Sequence, residues 1–110
     1  MTLSDECRAK LMDMISKTLR AKRDVKHLTH NDAAFLADRT RTCVQNVEYK
    51  KNLPDFETFL LLDEALLSKD ESRDLYTELQ ACVREDRRRQ REEAGTQHLA
   101  ERLWNGKRKK

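Results

Sequence analysis

Hydrophobic residues recur at steps of three and four positions along most of the chain, which is the spacing of one face of an α-helix. The first such stripe follows Ser4, a residue type that caps helix N-termini, and two acidic residues that suit the positive end of the helix dipole. Its members are Cys7, Leu11, Met14, Ile15 and Leu19. Three basic residues close the pattern at Arg20, Lys22 and Arg23. The pattern predicts a first helix that starts after Ser4 and ends near Arg23.

A second stripe follows Thr29, which forms a capping-box pattern with Asp32 three residues later. The stripe consists of Leu36, Ala37, Thr40, Cys43, Val44 and Val47. It predicts one continuous helix that ends near Lys51. The single proline, Pro54, then suits the first turn of a third helix, because its missing N–H has no intrahelical partner there.

The third predicted helix, residues 54–67, is apolar around much of its circumference, which predicts that it is the most buried element. Its apolar members are Phe56, Phe59, Leu60, Leu62, Ala65, Leu66 and Leu67. Ser68 and Glu71 form a second capping-box pattern, which predicts the start of a fourth helix. The stripe of that helix consists of Leu75, Tyr76, Leu79, Cys82 and Val83.

The stretch 84–93 contains no hydrophobic residue, and we expect it to extend the fourth helix into solvent. Mixed-sign pairs such as Glu85–Arg89 are expected to hold it. Gly95 is a plausible end for this helix, and Thr96 a plausible cap for a short last helix that reaches Trp104. The chain is therefore predicted to divide into a helical bundle, residues 1–83, and a charged helical arm with a basic tail, residues 84–110.

The scarcity of turn-forming residues sets the fold class. With 2 glycines and 1 proline, the chain lacks the tight turns that sandwiches, barrels and glycine-rich phosphate loops require. The predicted fold is all-α: a small bundle of about four antiparallel helices with short connections, followed by a charged C-terminal helical arm. Helical bundles serve many unrelated activities, so function has to be argued from the residues.

The cysteines and the N-terminus predict a compartment. Cys7, Cys43 and Cys82 each occupy a stripe position, where cysteine behaves as a small buried hydrophobe. An odd number without a CxxC motif favours a reducing compartment, the cytoplasm or the nucleus, over a disulfide scaffold. The first residues do not resemble a secretory signal, and no apolar run is long enough to cross a membrane. We expect a soluble protein.

The sequence carries no recognisable catalytic or metal-binding motif. His27 and His30 are three residues apart, but no further ligand lies close to them in sequence and both fall in a predicted connection. A cysteine nucleophile requires an exposed thiolate in an electropositive site, and the stripe positions of Cys43 and Cys82 argue against exposure. We expect no enzymatic activity, no cofactor and no bound metal.

Arginines on the predicted helical extension offer a nucleic-acid hypothesis. Four of them share one helix face, and the chain ends in four further basic residues. These candidate phosphate contacts are Arg84, Arg87, Arg88, Arg91, Lys107, Arg108, Lys109 and Lys110. The formal net charge is +3, and without the four-residue tail it is −1, so the basic character is local. The competing interpretation is an ordinary solvated helix, because residues 84–93 contain five arginines against four acids.

A small apolar cluster near the C-terminus offers a protein-binding hypothesis. Leu99 and Leu103 are one helical turn apart, and Trp104 adjoins them beyond the charged stretch. Such a cluster suits insertion into a groove on a partner, and tryptophan is enriched among interface hot spots. The competing interpretation is that the arm folds back and Trp104 covers the bundle.

The leading hypothesis is a non-catalytic interaction subunit or adaptor of an intracellular assembly, which binds a protein partner through its helical surface and its arm. The alternative is an accessory protein that binds RNA or DNA through the arginines and the basic tail. A third hypothesis is self-association through the third predicted helix, whose apolar surface exceeds what its neighbours are expected to cover. A membrane partner is not expected.

Overall fold

The computed structural model describes residues 2–93, and within them the chain forms five α-helices and no β-strand. The helices are α1 (Asp5–Val25), α2 (His30–Leu36), α3 (Arg41–Glu48), α4 (Phe56–Leu66) and α5 (Lys69–Glu93). The all-α prediction is therefore confirmed for this part of the chain. None of the five helices is both long enough and apolar enough to cross a membrane.

The predicted second helix is wrong in one respect, because it is two helices, α2 and α3. Asp38 takes the left-handed conformation, with φ at 53°, and the N–H of Arg39 donates to the carbonyl of Ala34 at 2.8 Å. These features end α2 as in a Schellman motif. Thr40 then caps α3, because its hydroxyl accepts from the N–H of Cys43 at 3.1 Å.

The start of α4 also differs from the prediction. Pro54 lies before the helix rather than in its first turn, and Asp55 is the N-cap, whose carboxylate accepts from the N–H of Thr58 at 2.7 Å. The other predicted caps are confirmed at Ser4 and at Thr29, where the full capping box is present.

The core lies where α1 packs against α3 and α4, with α2 closing it and α5 packing along α1. Small side chains let α2 approach its neighbours closely. The buried core cluster is Ile15, Leu19, Ala33, Ala34, Ala37, Val44, Val47, Leu62, Leu66, Leu67 and Leu75. Helix α4 contributes one face only and is not the most buried element, because Phe56 and Leu60 on its other side are exposed.

Helix α5 runs without a break through residue 83, the predicted boundary between bundle and arm. Most of residues 84–93 are exposed, as expected for a solvated extension. Asp86 is the exception, since it is buried against the N-terminal end of α1, where it accepts from Ser4. The division of the chain at residue 83 stays a prediction.

Candidate protein-binding groove

A groove opens between α4 and the first turns of α5. The two helices are joined only by residues 67 and 68, and α5 packs along α1 rather than along α4. The predicted capping box at Ser68 is present: its hydroxyl accepts from the N–H of Glu71 at 3.2 Å, and the Glu71 carboxylate accepts from the Ser68 N–H at 2.9 Å. Glu71 also forms an ion pair with Lys22 of α1, which fixes the direction in which α5 leaves the turn.

The groove has a volume of about 760 Å³ and a mostly apolar lining. Three of its large side chains remain exposed: Phe56 is 75% exposed, Tyr76 58% and Leu60 46%. Phe59 and Leu67 complete the apolar lining. Large apolar side chains that are exposed together in a concave surface mark sites of interaction, whereas single exposed ones are ordinary.

The same apolar surface continues beyond Phe56 and Phe59. A second concavity of about 280 Å³ shares these two residues and Tyr76 with the groove. Its further lining extends toward the body of the protein and consists of Leu11, Ile15, Leu53, Pro54, Leu79, Gln80 and Val83. An apolar strip therefore runs across α4 and onto the middle of α5.

The two walls of the groove carry opposite charges. Asp63 and Glu64 line it from α4, and Lys69 and Arg73 line it from α5. Arg73 has only a loose contact, 3.4 Å, with the exposed Asp70 on its own helix. Because exposed ion pairs of this kind contribute little, the basic wall is free to pair with groups of a ligand.

Asp63 is incompletely satisfied within residues 2–93. Its Oδ2 accepts from the hydroxyl of Ser72 at 2.6 Å, whereas its Oδ1 is buried and has no hydrogen-bond donor there. A buried acceptor without a donor costs free energy. Asp63 is also one of the residues that line the groove.

Phe35 of α2 is 85% exposed but lines neither concavity. Exposure alone therefore does not distinguish the groove. Its distinguishing features are concave shape, clustered apolar side chains and oppositely charged walls.

The predicted protein-binding residues Leu99, Leu103 and Trp104 lie outside the described residues. The same holds for the basic tail, Lys107, Arg108, Lys109 and Lys110, and for the predicted last helix. Their proposed roles stay predictions.

The four predicted arginines of α5 are all exposed, but they differ in their partners. Arg88 contacts two carboxylates, Glu85 at 2.6 Å and Glu92 at 2.7 Å. The hydrogen bond with Glu85 is the main cause that raises the pKa of Arg88. The other three, Arg84, Arg87 and Arg91, make no ion pair within residues 2–93.

The remaining candidate residues are placed as follows. Cys7 is buried as predicted, but Cys43 and Cys82 are partly exposed, so the prediction that all three are buried is wrong.

The two histidines that the sequence places three residues apart lie at different helix ends. His27 follows α1 in the left-handed conformation, and His30, at the start of α2, lies 3.2 Å from the carboxylate of Glu48. Residues 2–93 contain no group of three side chains arranged to hold a metal ion.

Sequence reasoning missed the groove, although a signal for it was present. Phe56 and Leu60 are one turn apart, so they share a face of α4 that is distinct from the face of Thr58 and Leu62. The apolar spread around this helix predicts deep burial and also an apolar surface in excess of what its neighbours cover. In the structure, one face of the helix lies in the core and another is open to solvent.

No protein-family model, no curated protein and no solved structure matches this chain. A thiol or histidine that could serve as a nucleophile or base is not among the residues that line the groove. What the groove offers a ligand is apolar area, two basic groups and two acidic groups.

Proposed function

We propose that this protein is a non-catalytic interaction module that binds an amphipathic helix of a partner protein in the groove between α4 and α5. The observation that carries the proposal is the joint exposure of Phe56, Leu60 and Tyr76 in one concave surface. Helix-in-groove recognition uses such a surface, into which the partner inserts apolar residues spaced three and four positions apart.

The charged walls define the chemistry of the partner helix. Its flank against α4 faces Asp63 and Glu64 and is expected to carry lysine or arginine. Its flank against α5 faces Lys69 and Arg73 and is expected to carry aspartate or glutamate. Charge complementarity of this kind fixes the orientation of the bound helix and speeds association more than it adds affinity.

The predicted cluster of Leu99, Leu103 and Trp104 is proposed as a second contact with the same partner. Two linked contacts raise the overall affinity through effective concentration, even when each is weak alone. This contact can be tested separately from the groove by substituting Leu103 and Trp104, which lie outside the described residues.

The test begins with amine cross-linking of the full chain in cells, read by mass spectrometry, because Lys69 at the groove wall is a suitable handle. A partner segment that is cross-linked to Lys69 is then synthesised as a peptide and titrated against the purified chain by fluorescence anisotropy. We expect Phe56→Ala with Tyr76→Ala to weaken peptide binding by roughly tenfold or more. Phe35→Ala removes an equally exposed phenylalanine outside the groove and is expected to leave binding unchanged.

Two results contradict the proposal. One is equal weakening by the Phe35 variant and the groove variant, which means that the surface is not specific. The other is concentration-dependent dimerisation in sedimentation equilibrium that Leu60→Glu abolishes. In that case a second copy of the chain, rather than a partner helix, occupies the groove.

A second candidate function is nucleic-acid binding, and we propose it on the exposure of Arg84, Arg87 and Arg91. These three side chains make no ion pair within residues 2–93, so they can contact phosphates without breaking an existing pair. The probe is labelled single- and double-stranded RNA and DNA, titrated at increasing salt concentration. Arg87→Ala is expected to weaken binding more than Arg88→Ala, because Arg88 is already neutralised by two glutamates. Absence of binding at low salt rules this candidate out.

A further inference from the structure

Two cysteines face each other where the first turn of α1 meets α5. The Sγ atoms of Cys7 and Cys82 are 3.8 Å apart, although the residues are 75 positions apart in the chain. The Sγ of Cys7 also lies 3.9 Å from the carbonyl oxygen of Cys82. Packing of α5 on α1 therefore holds two thiols in contact, and neither is part of a disulfide.

The two thiols differ in access to solvent. Cys7 is 1% exposed, whereas Cys82 is partly exposed. Cys82 lines a surface concavity of about 390 Å³ together with Lys10, Glu85 and Arg89. The Nε of Arg89 is a buried donor without a hydrogen-bond partner within residues 2–93, and its guanidinium lies 3.8 Å from the carboxylate of Glu6 and 4.0 Å from that of Glu85. Cys7 also lines this concavity, but it is almost fully buried, so a small oxidant reaches Cys82 more readily than Cys7.

We propose that Cys7 and Cys82 form an oxidisable dithiol, in which a peroxide oxidises Cys82 and Cys7 then closes an intramolecular disulfide. The sulfur atoms need to approach from 3.8 Å to about 2 Å, a movement within reach of side-chain rotation and a small helix shift. Neither Cys7 nor Cys82 lines the groove between α4 and α5.

The first step takes place on Cys82. The Cys82 sulfur attacks, as the thiolate, one oxygen of the peroxide. An S–O bond forms and the O–O bond breaks, and the departing hydroxide takes up a proton and leaves as water. The product is a sulfenic acid on Cys82, which has lost two electrons to the peroxide.

The second step uses Cys7. Its sulfur attacks the sulfur of the Cys82 sulfenic acid, so that the S–S bond forms and the S–O bond breaks. Burial is the main cause that raises the pKa of Cys7 to about 11, and the hydrogen bond to Cys82 adds to it. Cys7 is therefore a protonated thiol at neutral pH, and its proton leaves with the hydroxyl group as a second molecule of water. One peroxide is reduced to two waters, and two thiols are oxidised to one disulfide.

The disulfide links α1 to α5 beside the contact between Ser4 and Asp86. In the reduced protein, residues 84–93 are held to α1 by polar contacts, such as the bond of 3.0 Å from Gln90 to the carbonyl of Thr2. Oxidation adds a covalent bond at the start of this segment. The redox state is thus expected to set how firmly the charged end of α5 stays attached to α1.

Cys43 is an internal control for this chemistry. It is partly exposed on α3 and takes no part in the contact between the other two thiols. If solvent exposure alone determines which cysteine is oxidised, Cys43 is expected to be modified at least as readily as Cys82. If the contact between Cys7 and Cys82 determines it, Cys43 stays a free thiol.

The experiment treats the reduced full chain with a small excess of hydrogen peroxide, blocks free thiols with an alkylating agent and measures intact and peptide masses. We expect one alkylated cysteine, Cys43, and a cross-linked peptide pair that contains Cys7 and Cys82. Treatment with dithiothreitol is expected to restore three free thiols. The oxidised protein is expected to unfold at a Tm about 10 °C above that of the reduced protein, because the bond constrains a long loop of the unfolded chain.

Two variants keep the test independent of folding defects. Cys43→Ser is expected to form the disulfide as the wild type does. Cys82→Ser changes a partly exposed side chain and is expected to leave Cys7 alkylatable after unfolding, with no disulfide to Cys43. The proposal is overturned if Cys43 is consumed with the others, if only disulfides between chains form, or if Cys82 is oxidised beyond the sulfenic acid while Cys7 stays free.

Discussion

The two ends of α1 are each held by a buried carboxylate from another helix, and the two carboxylates are satisfied in different ways. Near the C-terminal end, the side chain of Glu48 on α3 is 2% exposed and faces the guanidinium of Arg23. At the N-terminal end, Asp86 on α5 is 3% exposed and faces the uncharged Ser4. One negative charge is therefore neutralised by a side chain, and the other is stabilised by neutral hydrogen-bond donors.

The Glu48 contact is an ion pair with two parallel hydrogen bonds. Arg23 donates from Nε at 2.7 Å and from Nη2 at 2.9 Å, and it also donates from Nη1 to the carbonyl of Leu28 at 2.9 Å. The Nε2 of His30 lies 3.2 Å from the same carboxylate. Glu48 thus joins the end of α1, the start of α2 and the end of α3. The bidentate geometry with Arg23 is among the strongest that a carboxylate can form.

The Asp86 contact depends on the start of α1. The Ser4 N–H donates to one oxygen at 3.0 Å, the Ser4 hydroxyl donates to the other at 2.5 Å, and the amide of Gln90 adds a bond of 2.8 Å. The hydroxyl of Ser4 also accepts from the N–H of Cys7 and so caps the helix. These bonds, the side-chain bond from Ser4 first, lower the pKa of Asp86. The positive end of the α1 dipole lies at the same place and favours the anion further.

The largest effect is expected from breaking the ion pair. Glu48→Gln leaves the largely buried guanidinium of Arg23 with only the exposed Asp24, 3.6 Å away, as a counter-charge. We expect the free energy of unfolding to fall by about 3 kcal/mol. Urea denaturation followed by circular dichroism measures this change.

An exposed ion pair provides the control. Arg39 pairs with Glu57 at 2.8 Å, but Glu57 is well exposed, so Glu57→Gln is expected to cost less than about 1 kcal/mol. Replacing both Arg23 and Glu48 by apolar residues is expected to recover much of the loss, since no buried charge then remains. Equal losses for the two glutamate variants would show that burial of Glu48 has no energetic consequence.

The sequence could predict one side of each contact but not the other. Ser4 as a cap and Arg23 in a helix end follow from local pattern, and both are confirmed. The partner of Ser4, Asp86, is 82 residues away, and the partner of Arg23, Glu48, is 25 residues away. Both partners are determined by tertiary packing that no local pattern encodes.

The break between α2 and α3 was hidden for a different reason. Helix ends in the left-handed conformation are usually marked by glycine, but here Asp38 takes this conformation, as His27 and Lys50 do after α1 and α3. With no glycine or proline at the break, the apolar spacing continued through it and predicted one helix. The groove could not be predicted either, because the apolar spacing of α4 indicates surplus apolar surface but not the concave shape that α4 and α5 form together.

A smaller and pH-dependent effect is expected at Asp86. Its pKa is lower in the folded protein than in the unfolded chain, so ionised Asp86 stabilises the fold above its unfolded pKa. That stabilisation is lost as the pH falls through the folded pKa, which places the change below about pH 4. Asp86→Asn is expected to lower the Tm at neutral pH by about 5 °C. It is also expected to reduce the fall of the Tm with pH below about pH 4, which we call the acid limb.

Asp74 is the matched control for this prediction. It is an exposed aspartate on the same helix, and it makes no hydrogen bond or ion pair through its side chain within residues 2–93. Asp74→Asn is expected to leave both the Tm and the acid limb close to those of the wild type. If Asp74→Asn and Asp86→Asn flatten the acid limb equally, the effect belongs to net charge and not to the contact with Ser4.

The smallest effect is expected just beyond the Glu48 contact, where α1 ends. His27 has a φ of 57°, and the following N–H of Leu28 donates to the carbonyl of Arg23 at 3.0 Å, which completes the helix end. A residue with a Cβ is strained in this conformation, whereas glycine is not, although glycine also gains entropy in the unfolded chain. The side chain of His27 is exposed, so His27→Gly removes no packing and is expected to add about 0.5 kcal/mol to the free energy of unfolding.

Lys26→Gly alters the neighbouring residue, which has an ordinary right-handed conformation, and is expected to lower the free energy of unfolding by a similar amount. Opposite signs for these two adjacent substitutions in urea denaturation would place the strain at one residue, whereas a loss for both would mean that His27 contributes through a contact of its side chain.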